Sequence, residues 1–153
     1  MRIFEKAVVV DEPWLSKILA GEKVWEMRSK RTRYRGAIGL IRKGSGHIVG
    51  MAKLAERLTA LSPLDFARHE AEHRIPPSQQ DEALRRRWHF PWVLEEARAL
   101  PRPVPYSHRS GQVIWVRLDA DVDRAIQSSL QVASGQGPRG AKGWNSSSVR
   151  EQR

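Results

Sequence analysis

The sequence contains no cysteine. That absence excludes a disulfide framework, a thiolate nucleophile and a cysteine zinc site, so the fold must be held by packing alone. Long apolar runs are missing as well. The opening stretch MRIFEKAVVV is too short for a secretory core or a membrane span, and no other stretch is longer, which leads to the expectation of a soluble cytoplasmic protein. No internal repeat is apparent. Acidic residues are scarce: 17 Asp and Glu stand against 27 Lys and Arg, a formal net charge of +10. Such a surface carries a positive field that attracts phosphate polyanions or anionic lipid, and nucleic acid is the leading partner class.

What is present fits one domain with a modest core, since 40% of the 153 residues are hydrophobic. Ala7 to Val10 is a β-branched run readable as a buried strand. In DEPWLSKILAG, Pro13 marks the first turn of a short helix, with Trp14, Leu15, Ile18 and Leu19 at helical spacing and Gly21 as its stop. Val24 to Arg28 then reads as a strand followed by a basic loop, SKRTRYRG. AIGLI and HIVGMAKLAERL flank a glycine-bearing turn and form a hairpin. Ser62 with Asp65 caps a helix through about His73, and Ser78 caps a second, basic one. PWVLEEARAL is extended, PRPVP a stiff polyproline-like connector, and QVIWVRL a strand. From Gln127 to Arg153 the chain turns rich in Ser, Gly and basic residues and reads as a disordered tail.

The motif GEKVWEMR carries the densest chemistry. In an extended strand Glu26 and Arg28 share one face and Trp25 and Met27 the other, and Lys23 at the turn can swing toward the polar side. Three ionisable groups of mixed sign then either form a solvated surface ion pair or, if partly buried, shift one another's pKa values and support acid–base or electrophilic work. Elsewhere, His69, Glu70, Glu72 and His73 spell His-Glu-x-x-His, a metal-ligand spacing on a helix. With no third ligand in the usual context, a solvated charged helix face is the expectation, and neither a metal nor another cofactor is assigned. Of Trp25, Trp88, Trp92 and Trp115 most read as core; Trp115 suits a packed strand, whereas Trp88 and Trp92 flank His89 and Pro91 at an irregular junction, and Trp92 is the chosen base-stacking residue. Arg33, Arg35, Arg42 and Lys43, with Arg31 and the run Arg85 to Arg87, are positioned in sequence to form a phosphate-tracking rim.

Three ordered segments, PWLSKILAGEKVWEMR, RGAIGLIRKGSGHIVGMAKLAE and PWVLEEARALPRPVPYSHRSGQVIWVRL, resemble the ASCH domain, a member of the PUA-like superfamily related to YTH and EVE domains. The resemblance implies an α+β fold, a small mixed PUA-like β-barrel with flanking helices, over residues 1–126, and a tail over 127–153. It implies binding of RNA or a modified nucleotide or nucleoside in a cleft, and it places Lys23, Glu26 and Arg28 there. One bacterial branch that resembles this chain removes the acetyl group from N4-acetylcytidine with a lysine, a threonine three residues on and a downstream glutamate. The lysine falls on Lys23 and the glutamate most naturally on Glu72, with Glu70 its competitor, but Glu26 stands where the threonine is expected. A carboxylate cannot replace a hydroxyl nucleophile without a changed mechanism, such as Glu26 activating water while Lys23 stabilises an oxyanion. Binding therefore precedes hydrolysis, of an acylated cytidine or of RNA itself, as the expected function.

Overall fold

The valine run forms the second half of β1 (Lys6–Val10), which pairs in parallel with β3 (Gly36–Arg42) and antiparallel with β6 (Trp115–Arg117). Being covered on both sides, it tolerates apolar residues at successive positions. The computed structural model describes residues 3–109, 111, 112 and 114–133. Between β1 and β3 run helix α1 (Trp14–Leu19) and strand β2 (Trp25–Arg28); β4 (His47–Arg57) closes the hairpin with β3, and β5 (Phe90–Pro105) lies between β4 and β2. The strand order is β2-β5-β4-β3-β1-β6, a mixed six-stranded sheet curled into a half-barrel. Register shifts at Ile48/Gly50, Met51/Lys53 and Leu54/Arg57 put bulges along the long β4–β5 pair and bend it. The edges β2 and β6 do not pair with each other among the described residues, so the expected barrel stays open on that side.

Helix α1 lies across the sheet with Leu15 and Ile18 fully buried against Ile38, Leu40, Leu54 and Leu94. Each such side chain contributes about 1.5–3 kcal/mol. Close approach is possible because residue 50 is glycine: a Cβ there would stand 2.4 Å from Leu19 Cδ2 and 2.9 Å from the Arg98 carbonyl oxygen. Pro13 sits one place earlier than expected, at the cap rather than in the first helical turn.

The expected helix over 62–73 is two pieces, α2 (Pro63–Arg68) and α3 (Glu70–His73), with Ser62 capping the first through its Oγ, which accepts from Asp65 N at 3.1 Å. The break at His69 folds His73 back so that its ring packs 4.4 Å from Phe66 and its Nε2 donates to the Phe66 carbonyl at 2.6 Å. Helix α4 (Pro77–Arg85) starts at Pro77, and Ser78 does not cap it; a proline, lacking the N–H that a cap would satisfy, already suits the first helical position.

PRPVP is strand rather than connector, the end of β5. Tyr106 N donates to Gly46 O, so alternate nitrogens face β4 and those of Pro103 and Pro105 face away, where no ladder bond is needed. The tail boundary moves too. Helix α5 (Ala120–Ala133) carries the chain past residue 127, because Val122, Ile126 and Leu130 recur at four-residue spacing and pack on Phe4, Ile48 and Val116. Residues 134–153 lie outside the described residues. Among those described, no helix is long and apolar enough to cross a membrane.

Candidate nucleic-acid cleft

Gly21, at φ +80°, ends α1, and the amides of Glu22 and Lys23 both return to the Lys17 carbonyl. That turn points Lys23 inward. Its side chain is buried, 2% exposed as a residue, and its Nζ donates to the His73 carbonyl at 2.5 Å, stands 3.8 Å from Glu26 Oε1 and lies 5.0 Å from the Trp14 ring centre. Burial pushes the ammonium down to about 8; Glu26 opposes that fall, while Arg28 and Lys17 add to it.

Glu26 is shared. Its Oε1 faces Lys23 and its Oε2 accepts from Arg28 Nε and Nη2, both at 2.9 Å. At 8% exposure it is a nearly dry carboxylate between two cations, so the solvated surface pair is not what the chain builds. Arg28 is fixed from three sides: by Glu26, by the Val9 carbonyl at 2.7 Å, and by the Trp92 ring 5.5 Å beneath it. The strand's polar face is thus turned inward.

These three residues line a cleft of about 340 Å³. Trp14 and Trp88 are half-buried in its wall, Met27 and Ile75 add apolar surface, and Asp11, Lys43 and Arg86 complete its charges. Four cations, Lys23, Arg28, Lys43 and Arg86, thus meet two carboxylates, Asp11 and Glu26.

Other expected residues lie elsewhere. Glu72 does not line the cleft: its carboxylate takes His69 Nδ1 at 3.2 Å, and only its backbone carbonyl, accepting from Val24 N, supports the motif. The helix break explains this, since it brings the His73 backbone, not a glutamate side chain, against Lys23. Trp92 is core, 4% exposed, stacked 5.5 Å from Trp115 with its Nε1 donating to the Lys30 carbonyl, so no ring face is open to a base. Arg42 pairs with Glu12, and Arg33 and Arg35 sit on the exposed loop before β3, outside the cleft. The His-Glu-x-x-His string is split by the break. Both ring nitrogens of His73 are held by backbone, Nε2 by Phe66 O and Nδ1 by Ile75 N, whereas His69 lies outside against Trp25. Burial lowers the pKa of His73, and nearby Lys23 lowers it further. Trp14 is the lining aromatic that sequence reasoning passed over, its clue being a tryptophan at the helix start with the Lys23 turn a helix length away; Arg86, from the expected rim, and Trp88, weighed but not chosen, line the cleft as well.

Residues 8–104 match the sequence model of the ASCH domain. The chain belongs to the ASCH domain family. Its fold is correspondingly like that of the ASCH protein of Zymomonas mobilis, whose crystal structure superposes with a TM-score of 0.65 at 14% identity, over 81% of this chain and 94% of that one. A tyrosine-to-phenylalanine mutant of that ASCH protein gives 0.62 at 14% identity over 81% and 96%, and a serine-to-alanine mutant 0.62 at 13% over 84% and 98%. No curated protein matches at a significant level. The ASCH domain is PUA-like, a nucleic-acid-binding type of fold, and the α+β half-barrel here agrees with it.

Proposed function

We propose that the cleft binds RNA or a modified nucleotide. The observation that supports this best is the Lys23–Glu26–Arg28 cluster, two of its members buried and Arg28 half-buried, in a cleft lined by Trp14 and Trp88. The volume suits one nucleoside-sized ligand, tryptophan faces stack on a splayed base at about 1–3 kcal/mol each, and the surplus of cations favours a phosphate at the mouth. Glu26 keeps the buried Lys23 and the half-buried Arg28 in place, so the floor is set before a ligand arrives and little ordering cost falls on binding.

A hydrolase at the same cleft has one observation in its favour: Lys23, pushed down to about 8, lies near neutrality, as an acid–base group should. Against it, none of the lining side chains carries a hydroxyl, so the oxygen nucleophile must be a water activated by Glu26. The two activities separate in one experiment. Fluorescence anisotropy of a labelled single-stranded RNA should show affinity falling steeply between 50 and 200 mM salt and weakening in Trp88→Ala; no binding at low salt removes the proposal. Incubation with N4-acetylcytidine, free and within RNA, should release no cytidine by chromatography. Release that disappears in Lys23→Ala would put the hydrolase in its place.

A further inference from the structure

The loop from Ser29 to Arg35 leaves β2 at Arg28, in the cleft, and returns to the sheet at Gly36. Along it Arg31, Arg33 and Arg35 are exposed while Thr32 and Tyr34 between them are half-buried. This alternation is that of an extended segment, in which every second side chain shares a face at about 6.6 Å spacing. The inward residues hold it down. Tyr34 packs 5.6 Å from Trp115 and its hydroxyl donates to the Ala37 carbonyl, and Trp92 Nε1 ties the loop at Lys30. Arg31 lies over Phe90, and Arg31, Arg35 and Arg57 border one shallow depression against Phe90 and Trp92, the same Trp92 that underlies Arg28.

Among the described residues most arginines have no carboxylate partner, Arg68, Arg74, Arg87, Arg98, Arg102, Arg109 and Arg117 among them, so what marks the loop is how many fall side by side in one short anchored segment. Arg28, Arg42, Arg85, Arg86 and Arg124 each pair with a carboxylate. Among the described residues Lys30, Arg31, Arg33, Arg35 and Arg57 pair with none. Lys30, Arg31, Arg33 and Arg35 fall within six residues of one loop, and Arg31, Arg35 and Arg57 line the depression with Glu56 as its one carboxylate, so the local balance is cationic and favours an external anion.

We infer that Arg31, Arg33 and Arg35, with Lys30 and Arg57 beside them, form a rigid phosphodiester-binding comb that continues from the cleft, so that the ligand is an RNA strand of several nucleotides and not a free nucleoside. This rests on the cleft binding described above. The two-residue repeat of an extended backbone, about 6.6 Å, is comparable to the distance between successive phosphates on an extended single strand. Its guanidinium groups and flanking aromatic ring fit a nucleic-acid backbone better than the hydrated headgroups of a membrane.

The test uses the full chain and a fluorescent ten-nucleotide oligouridylate in four forms: unmodified, Arg31→Ala/Arg33→Ala/Arg35→Ala, Trp88→Ala, and the four changes together. The comb variant should lose about 10- to 100-fold in affinity at 50 mM salt, and its log-affinity against log-salt slope should flatten by about 2, which is roughly 0.7 per lost phosphate contact. A triple Arg→Lys variant should keep the slope. Trp88→Ala should weaken binding and leave the slope unchanged. Unaltered affinity and slope in the comb variant overturn the inference, whatever Trp88→Ala does. A comb effect without a Trp88 effect removes the cleft proposal and leaves the comb. Failure of the unmodified chain to bind removes both, and so does capture by phosphatidylserine vesicles in place of RNA.

Discussion

Replacing Lys23 by methionine should abolish a specific pH dependence of stability. In the folded chain burial lowers the ammonium from 10.5 to about 8, so between those values the unfolded chain binds a proton that the folded one does not. Stability then rises with pH across that window, the cost of a buried charge fading as the proton leaves. At 1.36 kcal/mol per unit the full effect is about 3 kcal/mol, of which about 2 kcal/mol falls between pH 7 and 9.5. Methionine matches the lysine in length and cannot titrate. It leaves the His73 carbonyl without its 2.5 Å donor, a loss that does not vary with pH. Urea denaturation of both chains at half-unit steps from pH 7 to 9.5 gives the comparison. Subtracting one curve from the other removes contributions from Tyr34 and Tyr106, whose phenols burial pushes up. The difference between unmodified and Lys23→Met chains should move by about 2 kcal/mol in favour of the unmodified chain as pH rises. Parallel curves would refute the burial of a protonated Lys23 and with it the electrostatic floor of the cleft.

Three other outcomes follow from the packing. His73 is held neutral, accepting from Ile75 N and donating to Phe66 O, so stability should decline as pH falls below its ordinary 6.5 toward its lowered folded value; His73→Phe should be less stable by about 2–3 kcal/mol and lack that decline in urea titrations from pH 7 to 5. Trp92→Ala should cost about 3–5 kcal/mol by thermal or urea unfolding, because the ring is core; lost RNA affinity with unchanged stability would restore it as a stacking residue. Gly50→Ala should destabilise by about 1–3 kcal/mol, since its Cβ meets Leu19 and the Arg98 carbonyl; a neutral effect in the same assay would mean that α1 can lift from β4.

The sequence exposed the core of the site because Gly21, Lys23, Glu26 and Arg28 lie within one turn and one strand, where period-two geometry decides which side chains meet. It could not say whether that polar face met solvent or protein. The end of α3 that packs against β2 covers Lys23 through a contact between residues fifty positions apart, Lys23 to His73, and Lys23 and Arg28 in turn enclose Glu26. The same limit misplaced Glu72, whose direction turns on a break at His69 that no proline or glycine announces. Trp88 and Trp92, four residues apart, look alike in sequence and differ in which side of the sheet edge they reach: one lines the cleft and the other stacks on Trp115. For α5 the signal was present in Val122, Ile126 and Leu130 but was diluted by the serines between them.

The central proposal is that RNA enters the cleft that Trp14 and Trp88 line together with Lys23, Glu26 and Arg28. Ultraviolet crosslinking of the full chain to an oligoribonucleotide, followed by peptide mapping, tests it most directly. Crosslinks should concentrate on the peptides bearing Trp14 and Trp88 and fall sharply in Trp88→Ala. Crosslinks confined to surfaces away from the cleft, with neither tryptophan peptide labelled, would contradict it.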